Sequence, residues 1–181
     1  MSPGRKISLL LFSIICGCIP PQTPTISGTL NSTRPIPVLV DETISLQEVS
    51  DAVNWINQQV GDDIFVISSQ QPTRDFSDEP VFVPYSTTIS VDDLGNNLAG
   101  ENVVTTQSQT HVFMGSRILI NSIILHDHEK LQVTLRHELL HDFLHDIDCS
   151  TIQSRDIMCG NGPFRLNAVL SKEEKDWILA N

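Results

Sequence analysis

His137, Glu138 and His141 stand in the order His-Glu-x-x-His, with Leu139 and Leu140 between. On a helix, residues four apart share a face, so two imidazoles at this spacing can reach one ion while the intervening carboxylate lies beside it. The ion that suits such a set is zinc, and the glutamate is then placed to take a proton from a neighbouring water. A single histidine on a polar helix edge is more often just solvated or hydrogen-bonded; the five-residue pattern points to zinc.

A catalytic zinc takes three protein ligands and keeps one position open. His145 continues the every-fourth-residue series. In an unbroken helix it would lie about 12 Å along the axis from His137, at about 1.5 Å per residue, too far to share an ion. It can serve only if the helix unwinds after Leu144. Asp146 and Asp148 are the other candidates, since aspartate oxygen is a sound zinc donor and both lie past the expected helix end. Capping and solvation of that end is the plainer role for all three.

The helix that must carry these residues is expected over 128–144. Asp127 is its cap, and Leu131, Leu135, Leu139, Leu140, Phe143 and Leu144 form a broad apolar arc that leaves the histidines on the remaining side. Upstream, Ile36-Pro37-Val38-Leu39-Val40 reads as a strand near a sheet edge because of Pro37. Ser45 and Glu48 then spell a capping box, Leu46, Val49, Val53, Ile56 and Val60 recur at spacings of three and four, and Gly61 is the stop. Ile64-Phe65-Val66-Ile67 follows as a buried strand, so the domain opens as a βαβ unit. Residues 68–90, punctuated by Pro72, Pro80 and Pro84, read as loop with one short strand at Val81-Phe82-Val83. Beyond a turn around Gly95 and Gly100, residues 101–106 and 111–121 read as two strands, the second bulged at Gly115. His126 and His128 flank Asp127 and could imitate a second metal site, but nothing nearby completes a ligand set; they read as loop and first-turn residues, and His111 as a strand residue.

The 181 residues are enough for one domain with an ordinary core. With 22 acidic against 11 basic residues the net charge is −11, and no cluster of Lys or Arg follows the start. Nucleic acid and anionic membrane surfaces are therefore poor partners. Arg5 and Lys6 precede an apolar run over 7–15, which reads as an export signal over 1–18 and is too short to span a bilayer. It closes on Ile15-Cys16-Gly17-Cys18, which resembles a bacterial lipoprotein cleavage box. By that resemblance Cys18 is the lipid anchor, the protein's only link to a membrane, at the periplasmic or cell surface; a plain secretory signal is the alternative. Residues 19–35, rich in Pro, Thr and Ser, read as a flexible linker, and 36–181 as the folded domain. A monomer is expected.

From Leu94 onward the chain resembles the metzincin zinc peptidases, and within them the matrixin-like group. The resemblance rests on Gly95, Leu98-Ala99-Gly100, Arg117-Ile118-Leu119-Ile120-Asn121, the His-Glu-x-x-His helix and Ile157-Met158, which looks like the methionine turn under the metal. Ser171-Lys172-Glu173-Glu174 then begins a capped last helix with Trp177 and Ile178, as such domains tend to end. The family pattern has a glycine three residues after the second histidine and His or Asp three further on; this chain has Leu144 and Ile147. A turn made at His145 instead would put Asp148 three residues past it, which makes Asp148 nearly level with His145 as third ligand. Met158 could also be an ordinary core residue.

The resemblance implies an α+β fold: one zincin domain, a mixed twisted sheet of about four to five strands, the active-site helix, a second long helix and a C-terminal helix. Cys149 and Cys159, in an exported protein, are expected to pair, with Cys149 as a thiolate ligand the rival reading. The activity implied is zinc-dependent endopeptidase chemistry on a peptide or protein substrate, with zinc polarising the carbonyl and Glu138 as general base. The strand over 114–121 would be the cleft edge along which an extended substrate pairs. Two alternatives use the same residues: a surface lipoprotein that keeps the fold as a binding module without catalysis, and a zinc hydrolase of a non-peptide or cell-wall amide.

Overall fold

A computed structural model describes residues 29–30, 34–69, 85–95, 98–107, 112–144, 157–158 and 168–180. The strands are β1 (Thr29–Leu30), β2 (Ile36–Val40), β3 (Phe65–Ser68), β4 (Thr87–Asp92), β5 (Gly100–Gln107) and β6 (Val112–Asn121); the helices are α1 (Leu46–Val60), α2 (His128–Leu140) and α3 (Lys172–Ala180). The architecture is mixed α and β with a mostly parallel sheet. β2 pairs in parallel with β3 and β4, β4 in parallel with β6, and β5 runs antiparallel to β6. The βαβ opening is as expected: β2 and β3 are parallel neighbours joined through α1.

Alternation along the strands decides which face is covered. Ile36 and Val38, Thr87 and Ile89, and Ser116, Ile118 and Ile120 are all buried, whereas Val66, Val103 and Arg117 on the opposite phase are exposed. α1 and α2 pack together over the buried face, and their fully enclosed Val49, Ala52, Ile56, Leu135, Leu139 and Leu140 fill the core. Burying each large apolar side chain contributes about 1.5–3 kcal/mol, so this layer fixes α2 against the sheet before any polar contact is counted.

A polar chain ties α2 to α1 as well. Gln132 Nε2 donates to Glu48 O (2.7 Å) and Oε2 (2.6 Å), and Arg136 Nη2 donates to Gln132 Oε1 at 3.2 Å. The Arg136 guanidinium stacks 4.8 Å from the centre of the Trp55 ring. His128 Nδ1 lies 2.8 Å from Glu48 Oε1, while His126 is exposed, so both act as loop and first-turn residues.

Several sequence expectations need correction. Residues 87–90, expected as loop, belong to β4 in the middle of the sheet; its buried Thr87 and Ser90, one on each face, are polar and hid the strand from an apolar pattern. The expected strand at Val81-Phe82-Val83 lies outside the described residues. α2 ends at Leu140 rather than at 144: Asp142 N and Phe143 N bond back only three residues, to Leu139 O (3.2 Å) and Leu140 O (3.0 Å), tightening the chain into turns. Within the stretch read as linker, Thr29–Leu30 pairs with β6, and Arg34 donates to the carbonyl of Ile178. β6 is not a cleft edge, because β4 and β5 occupy its two sides; β5 is the outer strand there. The bulge in β6 is present, with Thr105 opposite Gly115 and Thr106 opposite Phe113.

The same Ser-x-x-Glu spelling behaves differently at two helix starts. At α3, Glu174 Oε2 accepts from Ser171 N (2.8 Å) and Ser171 Oγ (2.9 Å), and Glu174 N donates to Ser171 Oγ, a closed capping box. At α1, Ser45 makes no side-chain cap, and the Glu48 carboxylate is held by Gln132 and His128 instead of reaching back to it. Ser171→Ala is therefore expected to destabilise the protein by about 1 kcal/mol and Ser45→Ala by less than about 0.5 kcal/mol. Urea unfolding checks this; equal losses would refute the distinction.

Candidate metal centre

α2 starts where Asp127 accepts from Lys130 N and runs with its inward row, Leu131, Leu135 and Leu139, fully packed. That packing fixes the rotation of the helix and leaves His137 and His141 half-buried on its outer side. Their rings stand nearly perpendicular, at 88° with centres 4.6 Å apart, and the two Nε2 atoms come within 3.0 Å of each other.

The remaining nitrogens explain why this matters. His137 Nδ1 lies 3.0 Å from Ile157 O, and His141 Nδ1 3.3 Å from Leu144 O. A carbonyl can only accept, so each Nδ1 carries the proton, and in a neutral ring Nε2 then holds a lone pair. Two lone pairs aimed at each other repel unless an electron-pair acceptor lies between them. A metal ion is such an acceptor, and backbone carbonyls behind imidazoles are the usual means of orienting metal-ligating histidines. The donor set fits zinc in type and in aim.

Ile157 and Met158 form a buried turn whose Ile157 carbonyl reaches His137. Ile157 N in turn bonds Val169 O at 3.3 Å, which ties the turn to the start of α3. His145, Asp146, Asp148, Cys149, Cys159 and Cys18 lie outside the described residues, so the third ligand, the cysteine pair and the lipid anchor are not located. Among the described residues no group of three His, Cys, Asp or Glu is placed to hold an ion.

Glu138 sits on the sheet side of the histidines, 7 % exposed, where α2 approaches β5. The approach is close because residue 100 is glycine. A Cβ there would stand 2.6 Å from Thr134 Cγ2, 3.0 Å from Glu138 Cγ and 3.1 Å from Glu138 Oε1. Asn102, two residues along the same face of β5, donates from Nδ2 to Glu138 O (2.7 Å) and to Asp142 Oδ1 (2.8 Å).

Asp142 is the residue that sequence reasoning missed. It is wholly buried beneath the end of α2, where Thr87 Oγ1 donates to Oδ2 and Ser116 Oγ donates to Thr87 Oγ1 at 3.1 Å. Burial pushes its pKa up, against the lowering pull of Thr87, Asn102 and Ser116. Tyr85 is fully enclosed as well; burial first and the Asp142 charge second raise its pKa, although its hydroxyl reaches hydrogen-bond geometry with neither Asp142 nor Ser116. One signal for Asp142 was available: it lies four residues after Glu138, on the face of the helix that turns toward β5.

Chemically, the site offers two convergent imidazole lone pairs, a carboxylate beside them and an outer strand whose far edge has no strand partner among the described residues. No protein-family model and no curated protein matches this chain.

Proposed function

We propose that the chain is a zinc-dependent metallopeptidase of metzincin type that cleaves peptide bonds outside the cytoplasm. The observation that carries the reading is the 3.0 Å approach of His137 Nε2 and His141 Nε2, each ring steered by a backbone carbonyl, with Glu138 on the adjoining helical position. His137 and His141 would hold the ion, with His145 or Asp148 as third ligand. Bound zinc would supply Lewis acidity, polarising the scissile carbonyl and easing deprotonation of water.

The chain's own residues do the rest. Glu138 takes a proton from water and passes it to the leaving amine. The outer edge of β5, next to Glu138, has no strand partner among the described residues, so an extended substrate can add as a strand there and bring its carbonyl over the helix. This replaces the edge expected on β6. Met158 would close the turn beside Ile157, whose carbonyl holds His137, and Cys18 would anchor the exported chain by lipid. No helix among the described residues is long and apolar enough to cross a membrane.

One observation favours a second reading. Leu144 is fully buried where the metzincin pattern has its turn glycine, so this position departs from the family pattern. A surface lipoprotein that keeps the fold as a binding module would tolerate that departure. Zinc content and turnover of a mixed peptide library separate the two. The peptidase reading expects one zinc per chain, cleavage that stops with a chelator and returns with zinc, and loss of both in His137→Ala. Stoichiometric zinc without cleavage favours the binding module, cleavage of cell-wall amides alone shifts the substrate class, and absence of zinc ends all catalytic readings.

A further inference from the structure

Asn102 commits one amide group to an element other than its own. It belongs to β5, yet Nδ2 donates to Glu138 O at 2.7 Å and to Asp142 Oδ1 at 2.8 Å, both on the α2 segment. Its acceptor carboxylate is itself held, since Asp142 is wholly buried and takes a hydrogen bond from Thr87 of β4. A few ångströms away the same two elements approach so closely that Gly100 has no room for a side chain, with Thr134 Cγ2 2.6 Å and Glu138 Cγ 3.0 Å from where a Cβ would be. The gap between strand and helix is thus held from both sides: Asn102 draws β5 in, and Gly100 lets it come.

We propose that Asn102 is a positioning residue that sets the distance between the edge of β5 and the carboxylate of Glu138, and so the placement of a strand-paired substrate against the proton-accepting group. The inference rests on the peptidase reading, because only a substrate held on β5 makes that distance matter for rate. Asn102 touches neither substrate nor ion. It acts through the backbone of Glu138, whose carbonyl it holds, and through the strand it belongs to. Misplacing reacting groups by about 1 Å can cost about 10²-fold in rate, so the loss belongs in kcat rather than in KM.

The test uses the full chain, with kcat and KM resolved on a peptide substrate and rates expressed per zinc-loaded chain. Asn102→Ala is expected to lower kcat by about tenfold or more with KM within about threefold and zinc content unchanged. Gly100→Ala opens the same gap without touching Asn102 and should give the same split. Adding Thr134→Ser, which removes the methyl nearest the new Cβ, should restore part of kcat. A merely structural role would lower the amount of folded, zinc-loaded protein and leave its kcat intact, and that result in both variants overturns the proposal. Should Asn102→Ala fail to fold, the Gly100→Ala variant and its Thr134→Ser rescue decide alone. Silent variants in a protein that does cleave peptides refute the positioning role and spare the peptidase reading, whereas no cleavage by the unsubstituted chain refutes both.

Discussion

Glu138→Gln should hold zinc as tightly as the unsubstituted protein and cleave peptides about 10²–10⁴-fold more slowly, the range typical for loss of a general base. Glutamine is the informative replacement because the side chain is 7 % exposed and packed against β5 at Gly100, where a smaller residue would leave a void and move the strand. The amide matches the carboxylate in size but cannot take a proton at neutral pH. At about 1.4 kcal/mol per factor of ten, the expected loss is about 3–6 kcal/mol of barrier, and the matched size of the side chain keeps packing shifts from contributing to it. Zinc should stay because His137 and His141 keep their carbonyl partners at Ile157 and Leu144. The measurements are kcat/KM and zinc per chain, with the melting temperature as a control. Cleavage within about fivefold of the original would remove Glu138 from the reaction, since a general base contributes at least about 10²-fold.

What could be read in the residues divides by distance along the chain. The histidine pair was legible because its geometry is local: spacing of four on a helix fixes the shared face whatever surrounds it. The helices α1 and α2 followed from periodicity, and the Gly61 stop is observed, with the left-handed φ of 82° that suits glycine. β4 was not legible. Its buried Thr87 and Ser90 are polar, Thr87 because it serves a carboxylate 55 residues later in the sequence, and apolar alternation is what marks a strand.

Strand order is also a non-local fact, yet a clue was present. β6 carries the fully buried Ile118 and Ile120, while β5 exposes Glu101, Val103 and Thr105; the more polar strand is the outer one. The two Ser-x-x-Glu sequences show the same limit at a helix start. Local chemistry closes the box at Ser171, but at Ser45 a tertiary partner, Gln132, claims the glutamate. Asn102 escaped notice for the same reason, since its acceptors lie 36 and 40 residues away. The candidate site is therefore a locally written pair of histidines set in a support that only the fold assembles.

That support should make Asp142 the most sensitive polar residue in the core. Asp142→Ala removes the acceptor for both Asn102 Nδ2 and Thr87 Oγ1 and leaves a cavity below the end of α2. Hydrogen bonds to a charged group are worth about 1.5–3 kcal/mol each, while release of a buried carboxylate gives part of that back, so a net loss of about 3 kcal/mol is expected. Asp142→Asn decides which term dominates. Its carbonyl can still accept from Asn102, and its amide can donate to Thr87 Oγ1 once the Thr87 hydroxyl turns its proton to Ser116 Oγ, so shape and pairing survive while the charge is gone. Because burial outweighs the hydrogen bonds in raising the Asp142 pKa, removing the charge should leave stability within about 1 kcal/mol of the original or increase it. Urea unfolding of the three proteins at pH 7 measures both differences. If asparagine proves as damaging as alanine, the negative charge itself is what the buried hydroxyls and amide are arranged to hold. Asp142 would then act on the neighbouring histidine pair as a fixed charge, and not merely as a pin between α2 and the sheet.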